Sequence, residues 1–168
     1  MKQVIYLAGG CFWGLEQYMS LAVGVLDTQV GYANGKTLNP TYEEVCYQNT
    51  GHAETVRVEF DDEIVSLSFL LELYFDAIDP TTINRQGGDT GSQYRTGIYY
   101  LNEEQKTIAN QAIEKLQQKF TEKIMVEVLE LSNYATAEDY HQKYLVKNPS
   151  GYCHIHASKF EQVKTRKE

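Results

Sequence analysis

Cysteine is scarce in this chain: three residues in 168, at Cys11, Cys46 and Cys153. An odd and sparse set cannot form the framework of a small secreted domain stapled by disulfides. It fits a reducing cytosol, where a thiol is either packed away or reactive. Proline is equally rare, with three residues, and no Pro/Gly/Ser-rich tract or repeat interrupts the sequence, so no internal domain boundary is expected. No apolar run approaches the roughly 20 residues needed to cross a membrane. Near the start, Lys2 and the apolar stretch Val4–Ala8 before Gly9-Gly10-Cys11 have the outline of a lipoprotein leader. The stretch is too short, and Ala8 stands three residues before the cysteine where leucine belongs, so a leader is not expected. Basic residues number 15 against 23 acidic, a net charge of −8. That balance repels phosphate backbones and anionic lipid and argues against nucleic-acid and membrane partners.

What is abundant is apolar and aromatic. Hydrophobic residues make up 42% of the chain, enough for one domain with a real core, and 13 tyrosines accompany six phenylalanines and a single tryptophan. Most of the tyrosines are expected to straddle core and surface, since a phenol packs and hydrogen-bonds at once.

Periodicity outlines the elements. Val4–Ala8 reads as a buried strand, and from Cys11 to Ala22 the pattern turns helical, with Phe12, Leu15, Met19 and Val23 on one face. Val25–Tyr32 reads as a strand closed by Ala33-Asn34-Gly35-Lys36, a turn with hairpin chemistry. Thr55–Phe60 alternates as a half-buried strand, and Ser66–Ile78 is helical up to Asp79-Pro80. Residues 84–97 form a polar, Gly-rich loop. Ile98–Leu101 is a strand, after which Asn102 caps a long amphipathic helix carrying Ile108, Ala112, Leu116 and Phe120. Val126–Leu131 is a further strand and Ala137–Leu145 a last short helix. This order suggests an α/β fold, a two-layer sandwich with a mixed sheet and a ferredoxin-like core. The domain spans residues 1–156, and residues 157–168, rich in charge, read as a solvated, disordered tail.

Chemistry concentrates at a few points. Gly9-Gly10-Cys11-Phe12-Trp13-Gly14 lies at a strand-to-helix turn, where glycines permit a sharp bend and a close approach. A cysteine in the first turn of a helix faces the positive end of the dipole, which favours the thiolate. Phe12 and Trp13 beside it suit a methyl or thioether group. The same residues suit a packed cysteine among core aromatics equally well. Glu54, in Gly51-His52-Ala53-Glu54, enters a strand; if it lines the aromatic pocket, burial raises its pKa and keeps a proton ready for donation, whereas on an edge strand it is an ordinary surface carboxylate. His52 reads as a structural cap on backbone carbonyls. Tyr42, Asp89 and Tyr94 have no role from pattern alone. Cys153 lies in an irregular stretch, Asn148–His156, from which it could reach Cys11 and form a disulfide, unless it is an unpaired thiol or part of a weak Cys-His-x-His metal fragment. Cys46 reads as a buried helical position.

Six motifs, Gly9–Gly14, Gly31-Tyr32-Ala33-Asn34-Gly35, Tyr42-Glu43-Glu44-Val45, Gly51–Glu54, Asp89-Thr90-Gly91-Ser92-Gln93-Tyr94-Arg95 and Gly151-Tyr152-Cys153, together resemble the peptide methionine sulfoxide reductases of type A (MsrA). They follow the family order across nearly the whole chain. The resemblance implies an α/β roll around the ferredoxin-like core and the S epimer of methionine sulfoxide, free or in proteins, as substrate. It implies Cys11 as nucleophile, Phe12 and Trp13 around the ε-methyl group, and Glu54 as proton donor helped by the hydroxyls of Tyr42 and Tyr94. Asp89 would orient substrate backbone or water. The sulfenic acid left on Cys11 would be resolved by Cys153, with Cys46 as an alternative, and the disulfide reduced by thioredoxin or, in the test tube, dithiothreitol. No cofactor and no metal are expected, and a cytoplasmic monomer is. The rival readings are another thiol enzyme, a peroxidase or a hydrolase using His52 or His141, and a non-catalytic sulfoxide- or peptide-binding module.

Overall fold

The computed structural model describes residues 1–168. In chain order it contains β1 (Lys2–Ala8), α1 (Phe12–Ser20), β2 (Val25–Ala33), α2 (Tyr42–Tyr47), β3 (Ala53–Asp61), α3 (Leu67–Ala77), the two-residue strands β4 (Arg85–Gln86) and β5 (Asp89–Thr90), β6 (Gly97–Tyr100), α4 (Glu103–Gln117), β7 (Glu127–Glu130), β8 (Ala135–Thr136), α5 (Tyr144–Lys147) and α6 (Ala157–Val163). Six strands share one sheet in the order β7-β6-β1-β3-β2-β8, while β4 and β5 form a separate ribbon. Neighbours in the large sheet run antiparallel except β6 and β7, so the sheet is mixed. Among its four central strands, the fourth in the chain (β6) lies beside the first, followed by the third and the second. With α1 and α3 as crossovers, this is the ferredoxin-like arrangement expected from the element order.

Alternation assigns the faces. Ile5 and Leu7 of β1 and Val56, Val58 and Phe60 of β3 join Leu15 and Met19 of α1 and Leu70, Leu71 and Tyr74 of α3 in the main core. Each such side chain taken from water contributes about 1.5–3 kcal/mol. The opposite face carries a smaller cluster of Ala8, Ala33, Ala53 and Tyr99, with Tyr6 and Tyr134 packed against it. Helix starts follow side-chain chemistry: Ser66 accepts from the Phe69 amide, Asn102 from the Gln105 amide, and Thr41 and Glu44 form a capping box ahead of α2.

The structure departs from the sequence expectations in several places. Residues 157–168 are not a solvated tail. Val163 on α6 is fully buried, Phe160 packs against the core, and Arg166 pairs with Asp76 while Glu168 accepts from the Ser66 amide and hydroxyl. The apolar spacing of Phe160 and Val163, hidden among lysines, holds the segment down. The strand expected to be half-buried, β3, sits between β1 and β2 and is covered along most of its length. The turn at Ala33–Lys36 does not close a tight hairpin: β2 pairs with β3 through a connection over residues 34–52 that contains α2. The helix expected over Ala137–Leu145 is divided by Lys143, whose left-handed φ of 53° ends one 3₁₀ turn (Asp139–His141) before α5 begins. Residues 84–97 hold the β4–β5 ribbon and a further 3₁₀ turn at Ser92–Tyr94.

Candidate active site

Four strand ends meet at one edge of the sheet. The registers Ala8↔Thr55, Ala8↔Gly97 and Tyr32↔Glu54 bring the ends of β1 and β2 beside the starts of β3 and β6. Glu54 shares its strand face with Val56 and Val58, so its carboxyl points to the side on which α1 begins. Cys11, at the N-cap of α1, lies there too.

The glycines before Cys11 are there for space. Gly10 has a φ of +79°, and a Cβ on it would fall 2.7 Å from both Gln86 Cβ and His154 Nε2. Its amide donates to the Tyr94 carbonyl at 3.2 Å, tying the turn to the 84–97 segment. Cys11 is 8% exposed and unpaired. Here the expectation from the helix dipole is overturned: burial pushes the thiol well up from its ordinary value, and the charges of Glu54, Asp89 and Cys153 add to this. A hydrogen bond from the Trp13 backbone acts the other way and is outweighed. The resting sulfur is a neutral thiol.

Glu54 is 1% exposed. Its Oε1 accepts from the Phe12 amide at 3.1 Å, in the first turn of α1, and its Oε2 is buried with no partner in the protein. Burial raises its pKa from 4.5 to about 8, opposed by the Phe12 amide and assisted by Asp89. At neutral pH the group is a carboxylic acid holding its proton in a dry site, beside a thiol whose pKa its own charge would raise further.

The remaining expected residues gather around this pair. Phe12 is buried, with its ring 5.7 Å from that of Tyr32, and Trp13 is partly exposed next to it. Tyr42 and Tyr94 are half-buried. Burial raises both phenols, the Cys46 side chain adds to the rise at Tyr42, and the charge of Glu54 bears on each. Both hydroxyls therefore stay protonated, as donors. Asp89 acts electrostatically on Cys11, Glu54 and Tyr94, and its Oδ2 is buried without a partner. Cys153 lies against α1, its Sγ accepting from the Ile155 amide at 3.3 Å; a Cβ on Gly14 would stand 2.6 Å from that sulfur. The structure thus brings Cys11, Phe12, Trp13, Tyr42, Glu54, Asp89, Tyr94 and Cys153 to one place.

The family model described as peptide methionine sulfoxide reductase matches residues 3–168. This chain belongs to that family. A relative from Lachnoclostridium phytofermentans named peptide methionine sulfoxide reductase MsrA is 57% identical over 164 residues, covering 98% of this chain and 99% of its own. Among solved structures, Mxr1 from Saccharomyces cerevisiae in reduced form is similar with a TM-score of 0.87 and 36% identity, over 92% of this chain and 91% of that one. Mxr1 in complex with Trx2 is similar with a TM-score of 0.61 and 25% identity, over 85% and 84%.

Against this family setting, several residues stand out that the sequence reading placed differently or passed over. Cys46 is partly exposed rather than buried, and burial together with the charges of Glu54 and Glu138 raises its thiol while the neighbouring Tyr42 and Gln93 side chains act the other way. His52 caps, as expected: its Nε2 donates to the Thr37 carbonyl at 2.7 Å. His154 and His156 do not join Cys153 in a metal cluster: the His154 ring lies against Gly10, and His156 Nδ1 accepts from the Ser158 amide at the start of α6. Glu138, which nothing in the sequence pattern marked, and His141, read there only as the base of a rival hydrolase, reach into the aromatic wall. The only available signal was the density of polar and aromatic residues in Glu138-Asp139-Tyr140-His141-Gln142-Lys143-Tyr144. A cavity of about 290 Å³ between α3, α4 and Arg166 contains none of the site residues. No helix is long and apolar enough to cross a membrane.

Proposed function

We propose that this protein reduces the S epimer of methionine sulfoxide, free or within proteins, to methionine, with Cys11 as nucleophile and Glu54 as proton donor. One observation carries the reading: a buried carboxylic acid with a free, unpartnered oxygen faces a buried thiol. A sulfoxide oxygen is only weakly basic and must gain a proton before its sulfur accepts a nucleophile, and here the proton and the nucleophile are held in one dry site.

The neutral state of Cys11 sets the order of events. Glu54 gives its proton to the sulfoxide oxygen, with the Tyr42 and Tyr94 hydroxyls donating hydrogen bonds to the same atom. The carboxylate left behind takes the thiol proton, and the new thiolate attacks the sulfoxide sulfur. As the S–O bond breaks and oxygen passes to Cys11, methionine leaves, Cys11 becomes a sulfenic acid and Glu54 is neutral again. Thiol and sulfoxide go in, sulfenic acid and thioether come out, and no net proton is consumed. Phe12 and Trp13 hold the methyl group and Asp89 orients the substrate backbone or a water. With the methyl fixed at the aromatics and the oxygen at Glu54, only one hand of the sulfoxide presents its sulfur to Cys11.

Cys153 then attacks the sulfenic sulfur, water leaves, and thioredoxin reduces the disulfide. That Mxr1 has been captured with Trx2 supports this recycling. The two thiols carry the electrons, so no resident cofactor is required. The protein works as a cytoplasmic monomer, one catalytic domain over residues 1–156 with the 157–168 segment fastened to it. An assay with the two resolved epimers of a blocked methionine sulfoxide and dithiothreitol tests the reading. Only the S epimer should be consumed, and consumption of both, or activity surviving Cys11→Ser, rejects it.

A further inference from the structure

The glycine turn before Cys11 is filled by a side chain from the far end of the chain, and that side chain is the neighbour of Cys153. The ring of His154 occupies the notch left open at Gly10, where a Cβ would stand 2.7 Å from its Nε2 and 3.1 Å from its Cδ2. On the other side it meets Gly87, in the turn of the β4–β5 ribbon, where a Cβ would fall 3.1 Å from the Cβ of His154. Gly10 and Gly87 both have a positive φ, +79° and +59°, so conformation and space each call for glycine there. Cys153 rests its sulfur against Gly14 of α1 and accepts from the Ile155 amide at 3.3 Å, while Ile155 enters the main core at 5% exposure. Beyond them His156 caps α6, whose Phe160 and Val163 fix the far end of the segment. Residues 148–156 lie between α5 and α6 with no helix or strand of their own, so side-chain contacts alone decide where Cys153 stands.

We propose that His154 is a positioning residue for the second thiol: seated between Gly10 and Gly87, its ring holds the Cys153 segment on the turn that carries Cys11, and so sets how fast Cys153 closes on an oxidised Cys11. The inference rests on the reading that Cys153 resolves the Cys11 sulfenic acid, and adds what brings the two together. In that step the Cys153 sulfur bonds the Cys11 sulfur, the S–O bond breaks, and the oxygen leaves as water with its own proton and that of the Cys153 thiol. The disulfide requires the two Cβ atoms about 3.5–4.5 Å apart. His154 touches the residue before Cys11, and Cys153 is the residue before His154. With that anchor in place, closure asks for a local turn of Cys153. Without it, the whole 148–156 segment has to search for the same geometry, an ordering cost the docked chain has already met. The anchor is also releasable. Burial lowers the His154 pKa, and the charge of Asp89 and the carbonyls of Cys11 and Gly9 oppose this without cancelling it, so the ring is neutral. Its Nε2 is buried with no partner in the protein. Shape rather than a strong hydrogen bond seats the ring, which lets the segment lift when a reductant must reach the disulfide.

The test reads a competition. Cys11 is oxidised either by the S epimer or by hydrogen peroxide, which turns the thiol to sulfenic acid and is itself reduced to water. A carbon nucleophile that traps sulfenic acid is present throughout. Mass spectrometry gives the ratio of trapped Cys11 to Cys11–Cys153 disulfide. His154→Ala empties the notch and should raise that ratio about tenfold with either oxidant, the order expected when a docked segment becomes a tethered one. Methionine release in the first turnover should be unchanged. His154→Gln fills much of the same notch and should stay near wild type. Gly87→Ala, whose new Cβ drives His154 out, should raise the ratio as well, and the double variant should match His154→Ala alone. A wild-type ratio in His154→Ala, a Gln variant no better than Ala, or methionine release slowed as much as closure overturns the proposal. So does a double variant whose ratio is the product of the two single effects. Peroxide needs no sulfoxide chemistry, so a protein that released no methionine would reject the sulfoxide reading while the peroxide ratios still judged His154.

Discussion

Glu54→Gln separates the account from any in which this carboxyl is an ordinary acid. In the folded protein it is 1% exposed, one oxygen accepts a single amide hydrogen bond and the other has no partner. Its pKa rises from 4.5 to about 8. Between those values the folded chain holds a proton that the unfolded chain has released, so folding binds a proton and stability must fall as pH rises. The contribution is fully present below the unfolded value and lost by the folded one, at about 1.4 kcal/mol per pH unit. Glutamine does not titrate, and its amide oxygen can still accept from the Phe12 amide. The stability of wild type relative to the variant should therefore drop by roughly 3 kcal/mol between about pH 5 and pH 7.5, and level off above about 8. Urea unfolding of both proteins at fixed ionic strength measures it, with unchanged m-values as the check that only stability has moved. A difference that is flat across the window, or one that grows with pH, would show the carboxyl to be ionised in the fold and would refute the reasoning. The same variant should lose about 10²–10⁴-fold in the chemical step.

Other consequences follow from neighbouring residues. Cys153→Ser should still release one methionine per enzyme without reductant, leave Cys11 as a sulfenic acid that a carbon nucleophile traps for mass spectrometry, and lose turnover with thioredoxin. Tyr42→Phe and Tyr94→Phe should each slow single-turnover reduction by about tenfold, as one hydrogen bond to the oxygen is lost in each; a wild-type rate in both would remove the hydroxyls from the mechanism. Val163→Ala, at a position with no exposure, should cost about 1–3 kcal/mol in urea unfolding, where a solvated tail would register nothing.

Much of this was legible in the residues. The ferredoxin-like core followed from the order of elements, because alternation in β1 and β3 and the 3.6-residue spacing in α1 and α3 are local patterns that tertiary packing reinforces. Pattern singled out Cys11 and Glu54 but left each with a plain alternative, a packed cysteine and a surface carboxylate; their roles came from the resemblance of six motifs to the methionine sulfoxide reductases. The ionisation of Cys11 was not legible. A helix N-terminus pulls the thiol one way and burial beside Glu54 and Asp89 the other, and which wins depends on contacts between residues distant in sequence. The α6 segment was misread for a similar reason: two apolar side chains among lysines carry too little periodicity to reveal a docking face. His141 could be read only as a base for a rival hydrolase; its bond to Trp13 was not legible, because the two lie 128 positions apart and a hydrogen bond between ring nitrogens leaves no imprint on local sequence.

The most direct measurement is the pH dependence of a single turnover: Cys153→Ser, the S epimer in excess, no reductant, and methionine release followed by rapid quench from about pH 6 to pH 10. Because both protons must be in place on Glu54 and Cys11, the rate should hold steady up to about pH 8 and then fall tenfold per pH unit, with Glu54→Gln in the same background slow and flat throughout. A rate that climbs through pH 8, as a freely ionising thiolate would give, contradicts it.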